Sequence, residues 1–94
     1  MIQYIQLNNT NRIQINDAGK AVYRALEWFW TSNQTNISYG DISDKSGVSL
    51  HGIKFWLRAL SNINIITIDD ESSYLSFNLL SIERENVEFF YSNF

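Results

Sequence analysis

Few side chains in this sequence could catalyse a reaction, and they do not cluster. His51 is the only histidine and there is no cysteine, so a zinc site, which needs three protein ligands or more, lacks material. No acidic or thiol partner lies at a spacing that would orient His51 for acid–base catalysis. The acidic pairs Asp69/Asp70 and Glu83/Glu85 lack a calcium-loop pattern, and no Gly-x-Ser-x-Gly turn or glycine-rich phosphate loop is present. The sequence therefore predicts a protein that is not an enzyme and needs no cofactor or metal.

Length and composition are typical of one globular, acidic domain. The 94 residues are 45% hydrophobic and 18% charged, which suits a packed core and argues against disorder. The net charge of −3 excludes a uniformly cationic nucleic-acid binder. No apolar run reaches the ~20 residues that cross a bilayer, and the N-terminus lacks a signal-peptide pattern. With Met1 at the start and no linker, we expect a complete small protein in the cytoplasm, without a membrane partner.

The residues before the first helix predict a β-hairpin, or one strand with an arm. Residues 2–7 and 12–15 are rich in β-branched side chains and partly alternate, and the cluster at 8–11 between them is turn-forming. Asp17 is a suitable N-cap for a helix that ends near Thr31. The predicted buried stripe of this helix comprises Ala18, Val22, Ala25, Leu26 and Phe29.

Two further helices are predicted, joined by a tight turn. Ser38 is placed to cap the first, with Asp41 three residues later as in a capping box. Gly47 ends this short helix, because glycine readily adopts the left-handed conformation found at helix C-termini. Ser49 then caps a third helix that runs to about Ser61. The predicted buried stripe of the third helix comprises Ile53, Leu57 and Leu60.

The last third of the chain predicts a second hairpin and a final helix. Residues 65–68 and 74–79 are strand-like and flank the polar, acidic segment 69–73. Ser81 is placed to cap a helix over residues 80–94. The aromatic end of this helix is expected either to fray or to pair with another subunit. The apolar residues at helical spacing in it are Val87, Phe90, Tyr91 and Phe94.

The order of helix, short helix, turn, helix and hairpin resembles the winged helix-turn-helix superfamily. The resemblance covers about residues 17–79 and rests on the stretch 37–49 (ISYGDISDKSGVS), the buried stripe of the third helix, and Ile65 and Ile66 before the hairpin. Within the superfamily the chain is similar to phage and plasmid replication-initiator domains and to small bacterial transcription regulators. Both possibilities stay open.

The resemblance implies an α+β fold in a single domain, residues 1–94. It implies a three-helix core with a β-hairpin wing over residues 17–79, to which the elements predicted above add an N-terminal β arm at 1–16 and a C-terminal helix at 80–94. Winged helices of this size often bind DNA as homodimers, and the segment 2–15 or the C-terminal segment could supply the interface.

The resemblance further implies binding to double-stranded DNA, with helix 49–61 in the major groove and the wing on the backbone. Arg58 could form a forked contact with guanine, and Lys54, one turn earlier, could reach a phosphate or guanine. Ser49 could hold a phosphate at the helix N-terminus. The DNA-contacting positions that the resemblance implies are Lys45, Ser49, Leu50, His51, Lys54, Phe55 and Arg58.

Two features depart from this pattern and favour an alternative function. The wing turn at residues 69–71 carries three carboxylates, which phosphates would repel, so it is either a solvated turn or the contact for a basic partner. Leu50 and Phe55 make the third helix apolar nearly all round, as in a helix buried on more than one side. They could contact thymine methyls or anchor a protein interface. The alternative is a protein-binding winged helix that does not bind DNA.

The tryptophans also have two interpretations. Trp28 and Trp30 could stack on single-stranded bases, or pack against the aromatic residues of the C-terminal segment. Packing is favoured, because the interleaved basic residues of a stacking surface are missing around them in the sequence. Trp56 is expected to be semi-buried against the wing. The C-terminal aromatic residues concerned are Phe89, Phe90, Tyr91 and Phe94.

Overall fold

The computed structural model describes residues 2–8 and 11–92, and in that part of the chain three helices combine with two small antiparallel sheets. The elements are β1 (Ile2–Leu7), β2 (Asn11–Gln14), α1 (Asp17–Thr31), β3 (Asn36–Ser38), α2 (Tyr39–Ser46), α3 (Leu50–Asn62), β4 (Ile66–Asp69), β5 (Ser76–Ile82) and β6 (Val87–Ser92). The first sheet has the strand order β2-β1-β6, and the second has the order β3-β5-β4. The fold class is therefore α+β.

The N-terminal hairpin is confirmed. Strands β1 and β2 are antiparallel, with Ile5 opposite Ile13. Strand β2 begins one residue earlier than predicted, and Ile15 lies just beyond it as a buried residue. The residues at positions 9 and 10, between the strands, lie outside the described residues.

The prediction of a C-terminal helix over residues 80–94 is wrong. Residues 87–92 form β6, which pairs antiparallel with β1, so that Phe89 lies opposite Ile5 and Phe90 opposite Tyr4. Aromatic and β-branched side chains favour a strand when a sheet edge is available to pair with. Pairing with the free edge of β1 therefore decided the structure of this segment, although its apolar residues have the spacing of a helix. Phe94, the last residue of the predicted stripe, lies outside the described residues.

Helix α1 has the predicted extent but a different cap. Its N-cap is Asn16, whose side-chain Oδ1 accepts a hydrogen bond from the Gly19 N–H at 2.9 Å, and Asp17 is the first helical residue. Asp17 still stabilises the helix, because a carboxylate in the first turn is attracted to the N-terminal end of the helix dipole. An ion pair joins two residues one turn apart on α1, with Arg24 Nη1 2.7 Å from Glu27 Oε1.

The predicted ends of α2 and α3 are confirmed. Ser38 Oγ accepts a hydrogen bond from the Asp41 N–H at 2.9 Å, and Ser49 Oγ accepts one from the Gly52 N–H at 3.3 Å. Gly47 ends α2 in the left-handed region, with φ of 74°. The turn between the helices is further held by the Ser43 hydroxyl, which donates to the Val48 carbonyl oxygen at 2.6 Å.

The second hairpin is also confirmed, although its strands are shifted. Strands β4 and β5 are antiparallel, with a register shift between Thr67 and Ile68, and β5 runs on to Ile82. Strand β3 was not predicted. It places Ile37 opposite Phe77 and so ties the start of α2 to the hairpin.

One hydrophobic core connects the helices to both sheets. Trp56 is buried in it, more fully than the semi-buried position that the sequence predicted, and its indole lies over Gly19 of α1. No helix within the described residues is long and apolar enough to cross a membrane. The largest fully buried side chains include Tyr23, Phe77, Ile5, Leu26, Ile37, Ile42, Ile53, Leu60, Ile65 and Ile66.

Candidate nucleic-acid interface

The exposed side chains of α3 lie along one face of the helix. The opposite stripe, formed by Ile53, Trp56, Leu57 and Leu60, is buried against the rest of the protein. Exposed positions recur three or four residues apart, as the helical period requires. Helix α3 is therefore buried on one side only. The predicted DNA-contacting residues on this helix, all of them exposed, are Leu50, His51, Lys54, Phe55 and Arg58, with Ser49 exposed as its N-cap.

The two cations of this face are free to meet an anion. Lys54 and Arg58 lie one helical turn apart, and neither forms an ion pair within the described residues, where the ion pair found is the one between Arg24 and Glu27. The Lys54 Nζ lies 5.2 Å from the centroid of the Tyr39 ring, which orients its charge without neutralising it. The His51 side chain is exposed and forms no hydrogen bond to another described residue, so its ring is available for contacts outside the chain.

A groove of about 430 Å³ separates this face from the turn that follows β4. Lys54 and Arg58 form part of one wall, and Asp70 lies on the hairpin side. The groove therefore carries cations on the helix and a carboxylate on the turn. Its lining residues are Tyr39, Lys54, Leu57, Arg58, Ser61, Asn62, Ile68, Asp70, Ser73 and Tyr74.

The acidic turn affects the electrostatics of the groove at Tyr39, one of its lining residues. Burial raises the pKa of Tyr39, and the negative charge of Asp70 raises it further. The turn itself is organised by Asp69, whose Oδ1 accepts a hydrogen bond from the Glu71 N–H at 3.2 Å. An anion approaching along the hairpin meets these carboxylates, whereas an anion approaching along α3 meets Lys54 and Arg58.

Within the described residues, no group of three or more His, Asp or Glu side chains is placed to hold a metal ion. No protein-family model, curated protein or solved structure matches this chain.

A second cationic feature, at Trp28, was missed by sequence reasoning. The Lys45 Nζ of α2 lies 3.9 Å from the centroid of the Trp28 ring, and 44% of Trp28 is exposed. The fold therefore brings a basic residue beside Trp28, although none is interleaved with these tryptophans in the sequence. Lys45 and Trp28 come from different helices, so their contact has no signal in local spacing.

The C-terminal aromatic residues pack elsewhere than predicted. The Phe89 ring lies 5.7 Å from the Tyr23 ring, and the Phe90 ring stacks on Tyr4 at 5.4 Å. Trp28 instead contacts Phe29 edge to face, at 5.1 Å between ring centroids. Trp30 is half-buried against the core. The partners of Phe89 and Phe90 are therefore α1 and β1, and Trp28 lies beside α2.

Proposed function

We propose that this protein is a winged-helix DNA-binding module that reads duplex DNA with α3. The observation that carries the proposal is the exposed face of α3, on which Lys54 and Arg58 lie one turn apart without an ion-pair partner among the described residues. The arrangement around it supports the proposal. Helix α2, the turn at Gly47 and α3 are followed directly by the β4–β5 hairpin, as in a winged helix-turn-helix.

Each exposed residue of α3 has a role in this proposal that follows from its chemistry. Arg58 donates two parallel hydrogen bonds to guanine in the major groove, and Lys54 binds a phosphate or a guanine edge. Ser49 and the N-terminus of α3 bind a backbone phosphate, because free N–H groups and the helix dipole favour an anion there. His51 donates to a base edge or a phosphate, and Lys45 lies beside the DNA backbone.

The hairpin has a smaller part in the proposed complex than in most winged helices. Its turn carries Asp69, Asp70 and Glu71, which repel phosphates at short range even though salt screens them. We therefore assign recognition to α3 and place the hairpin turn away from the backbone. As a homodimer, such a module would serve as a transcription regulator or a replication-initiation protein of a phage, plasmid or bacterium.

A second candidate function is protein binding by the same helix. Leu50 is 52% exposed and Phe55 is 58% exposed, on the face that also carries the cations. Large apolar side chains in such positions are typical anchors of protein interfaces. In this alternative α3 docks into a groove on a partner, and DNA is not bound.

The deciding experiment is fluorescence anisotropy with a randomised duplex pool at about 50 and about 200 mM salt, followed by selection of the bound sequences. On the selected site, Arg58→Ala should weaken binding by about 1–3 kcal/mol and relax the preference at one base pair. Lys54→Ala, if Lys54 binds a phosphate, should weaken binding to all sequences about equally and lower the salt slope by about 1.

Arg84→Ala is the matched control, because it removes the same charge from an exposed position in the loop before β6, outside the groove. Its affinity should equal that of the wild type. Folded protein that fails to bind any duplex at about 50 mM salt, where electrostatic attraction is strong, would contradict the proposal and favour the protein-binding alternative.

A further inference from the structure

Strand β6 forms an edge of the first sheet. In the order β2-β1-β6 it is paired on one side only, with β1. It is six residues long and carries aromatic side chains, among which Tyr91 is 58% exposed. An edge strand of this kind has a row of unpaired N–H and C=O groups that can pair with another strand.

The register identifies which residues of β6 carry the unpaired groups. The Ile15 N–H donates to the Gln3 carbonyl oxygen at 2.9 Å, and the Asn8 N–H donates to the Asn86 carbonyl oxygen at 3.0 Å. Because hydrogen-bonded pairs alternate along antiparallel strands, even-numbered residues of β1 bond to even-numbered residues of β6. The odd-numbered residues of β6 therefore direct their backbone groups to the free edge. These residues are Val87, Phe89 and Tyr91.

The other sheet edges are protected in ways that β6 is not. Strand β2 has four residues and β3 has three, whereas β6 has six. Strand β4 has a register irregularity between Thr67 and Ile68 and ends at Asp69. Short length and bulges both hinder pairing with another chain. Among the strands of the described residues, β6 is thus the one best suited to pairing at its edge.

We propose that β6 pairs antiparallel with β6 of a second copy, joining two three-stranded sheets into one sheet of six strands. A twofold axis through Phe89 places Val87 opposite Tyr91 of the other copy, and Phe89 opposite its own counterpart. All three free-edge residues of each chain are then in hydrogen-bonded pairs. A partner strand must present its own free N–H and C=O groups opposite those of Val87, Phe89 and Tyr91. A second copy does so by symmetry, because its β6 has the same free-edge residues.

Charge favours this register over the one in which the twofold axis passes through Glu88. A twofold axis through Glu88 would place two carboxylates directly opposite each other, and like charges in that position destabilise a strand pair. With the axis at Phe89, Glu88 instead lies opposite Phe90 of the other copy. Directly opposed residues of an antiparallel pair point to the same face of the sheet. The core-facing sides of the two three-stranded sheets therefore lie on the same side of the six-stranded sheet.

The test is the oligomeric state together with amide hydrogen exchange. We expect light scattering behind size exclusion to give about 22 kDa, twice the chain mass of 11.0 kDa, at high micromolar concentration. In the dilute monomer, the amides of Glu88, Phe90 and Ser92 should exchange slowly and those of Val87, Phe89 and Tyr91 quickly. Raising the concentration should slow the second set. An assembly that buries another surface would leave this alternation unchanged.

A pair of substitutions at one position isolates the backbone hydrogen bond. Tyr91→Pro removes the outward N–H and leaves the bonds to β1 intact, because proline is tolerated where the N–H of an edge strand faces solvent. Tyr91→Ala removes the same ring and keeps the N–H. We expect Tyr91→Pro to be monomeric at concentrations where Tyr91→Ala and the wild type are dimeric.

Three results would overturn the proposal: a monomeric wild type at high concentration, a dimeric Tyr91→Pro variant, or fast exchange at Val87, Phe89 and Tyr91 in the dimer. The exchange measurement uses the wild type, so it decides the matter even if the proline variant does not fold. The proposal says which edge forms the homodimer named under the proposed function, and because none of these measurements requires DNA, they test the dimer separately from DNA binding by α3.

Discussion

The indole ring of Trp56 lies directly against the backbone of Gly19, so that α3 contacts α1 without an intervening side chain. A Cβ atom added at Gly19 would lie 2.8 Å from the indole Cδ2 and Cε2, and 2.7 Å from Ile15 Cγ1. Both distances are too short for ordinary packing, so a glycine is required for this approach of the two helices. The contact lies on the buried side of α3 and helps to position the exposed side.

Gly19→Ala should destabilise the protein. The added methyl group must push the indole or α1 aside, and overpacking of this kind costs about 1–3 kcal/mol. The higher helix propensity of alanine returns about 1 kcal/mol, so the net effect is a loss of stability in all but the mildest case. Urea unfolding followed by circular dichroism measures the change. The control is Gly40→Ala in α2, where the one neighbour within 4 Å is Ser38 Oγ at 3.9 Å. It should leave the free energy of unfolding unchanged or raise it by up to about 1 kcal/mol. Equal effects from the two substitutions would contradict the packing argument.

Stability should decrease at alkaline pH, and Tyr23 is one cause. Burial, with the nearby charge of Glu27, raises the pKa of Tyr23 to about 12 from 10.0, and its hydroxyl donates to the Glu83 carbonyl oxygen at 2.7 Å. Above pH 10 the unfolded chain loses this proton while the folded chain retains it. The contribution of Tyr23 is therefore complete below pH 10 and is lost as the pH rises toward 12.

Tyr23→Phe separates this effect from other titrations. At neutral pH the variant should lose about 1 kcal/mol with the hydrogen bond. The difference in unfolding free energy between wild type and variant should then shrink as the pH rises from 10 to 12. Urea unfolding at several pH values across that range measures it, and a difference that stays constant with pH would refute the assignment to Tyr23.

Asp70 should weaken DNA binding, if the proposed function is correct. It lies across the groove from Lys54 and Arg58, where its carboxylate repels an incoming phosphate. Asp70→Asn should raise affinity for duplex DNA by about two- to five-fold at low salt, and by less at high salt because the effect is electrostatic. Glu85→Gln, which removes the same charge in the turn before β6 and outside the groove, should have no effect. An increase of equal size in both variants would indicate a general effect of net charge.

Local signals in the chain were enough to predict the helix ends and the orientation of α3. Ser38, Ser49 and Gly47 each act on backbone groups within a few residues, and the structure confirms all three. At α1 two neighbouring residues are both good caps, and the structure uses Asn16 where Asp17 was predicted. The exposure of the candidate DNA-contacting residues on α3 likewise follows from the helical period of its buried stripe.

Contacts between distant parts of the chain could not be read in this way. Residues 87–92 have a spacing compatible with a helix, and they form β6 because the hydrogen bonds that hold them belong to β1, at the other end of the sequence. The contact of Lys45 with Trp28 and the approach of Trp56 to Gly19 likewise join different helices. A helix satisfies its hydrogen bonds within four residues of each position, whereas a strand must find them on a partner. The three helices could therefore be predicted from the sequence alone. The free edge of β6 and the position of Asp70 across the groove from α3 were decided by the tertiary structure.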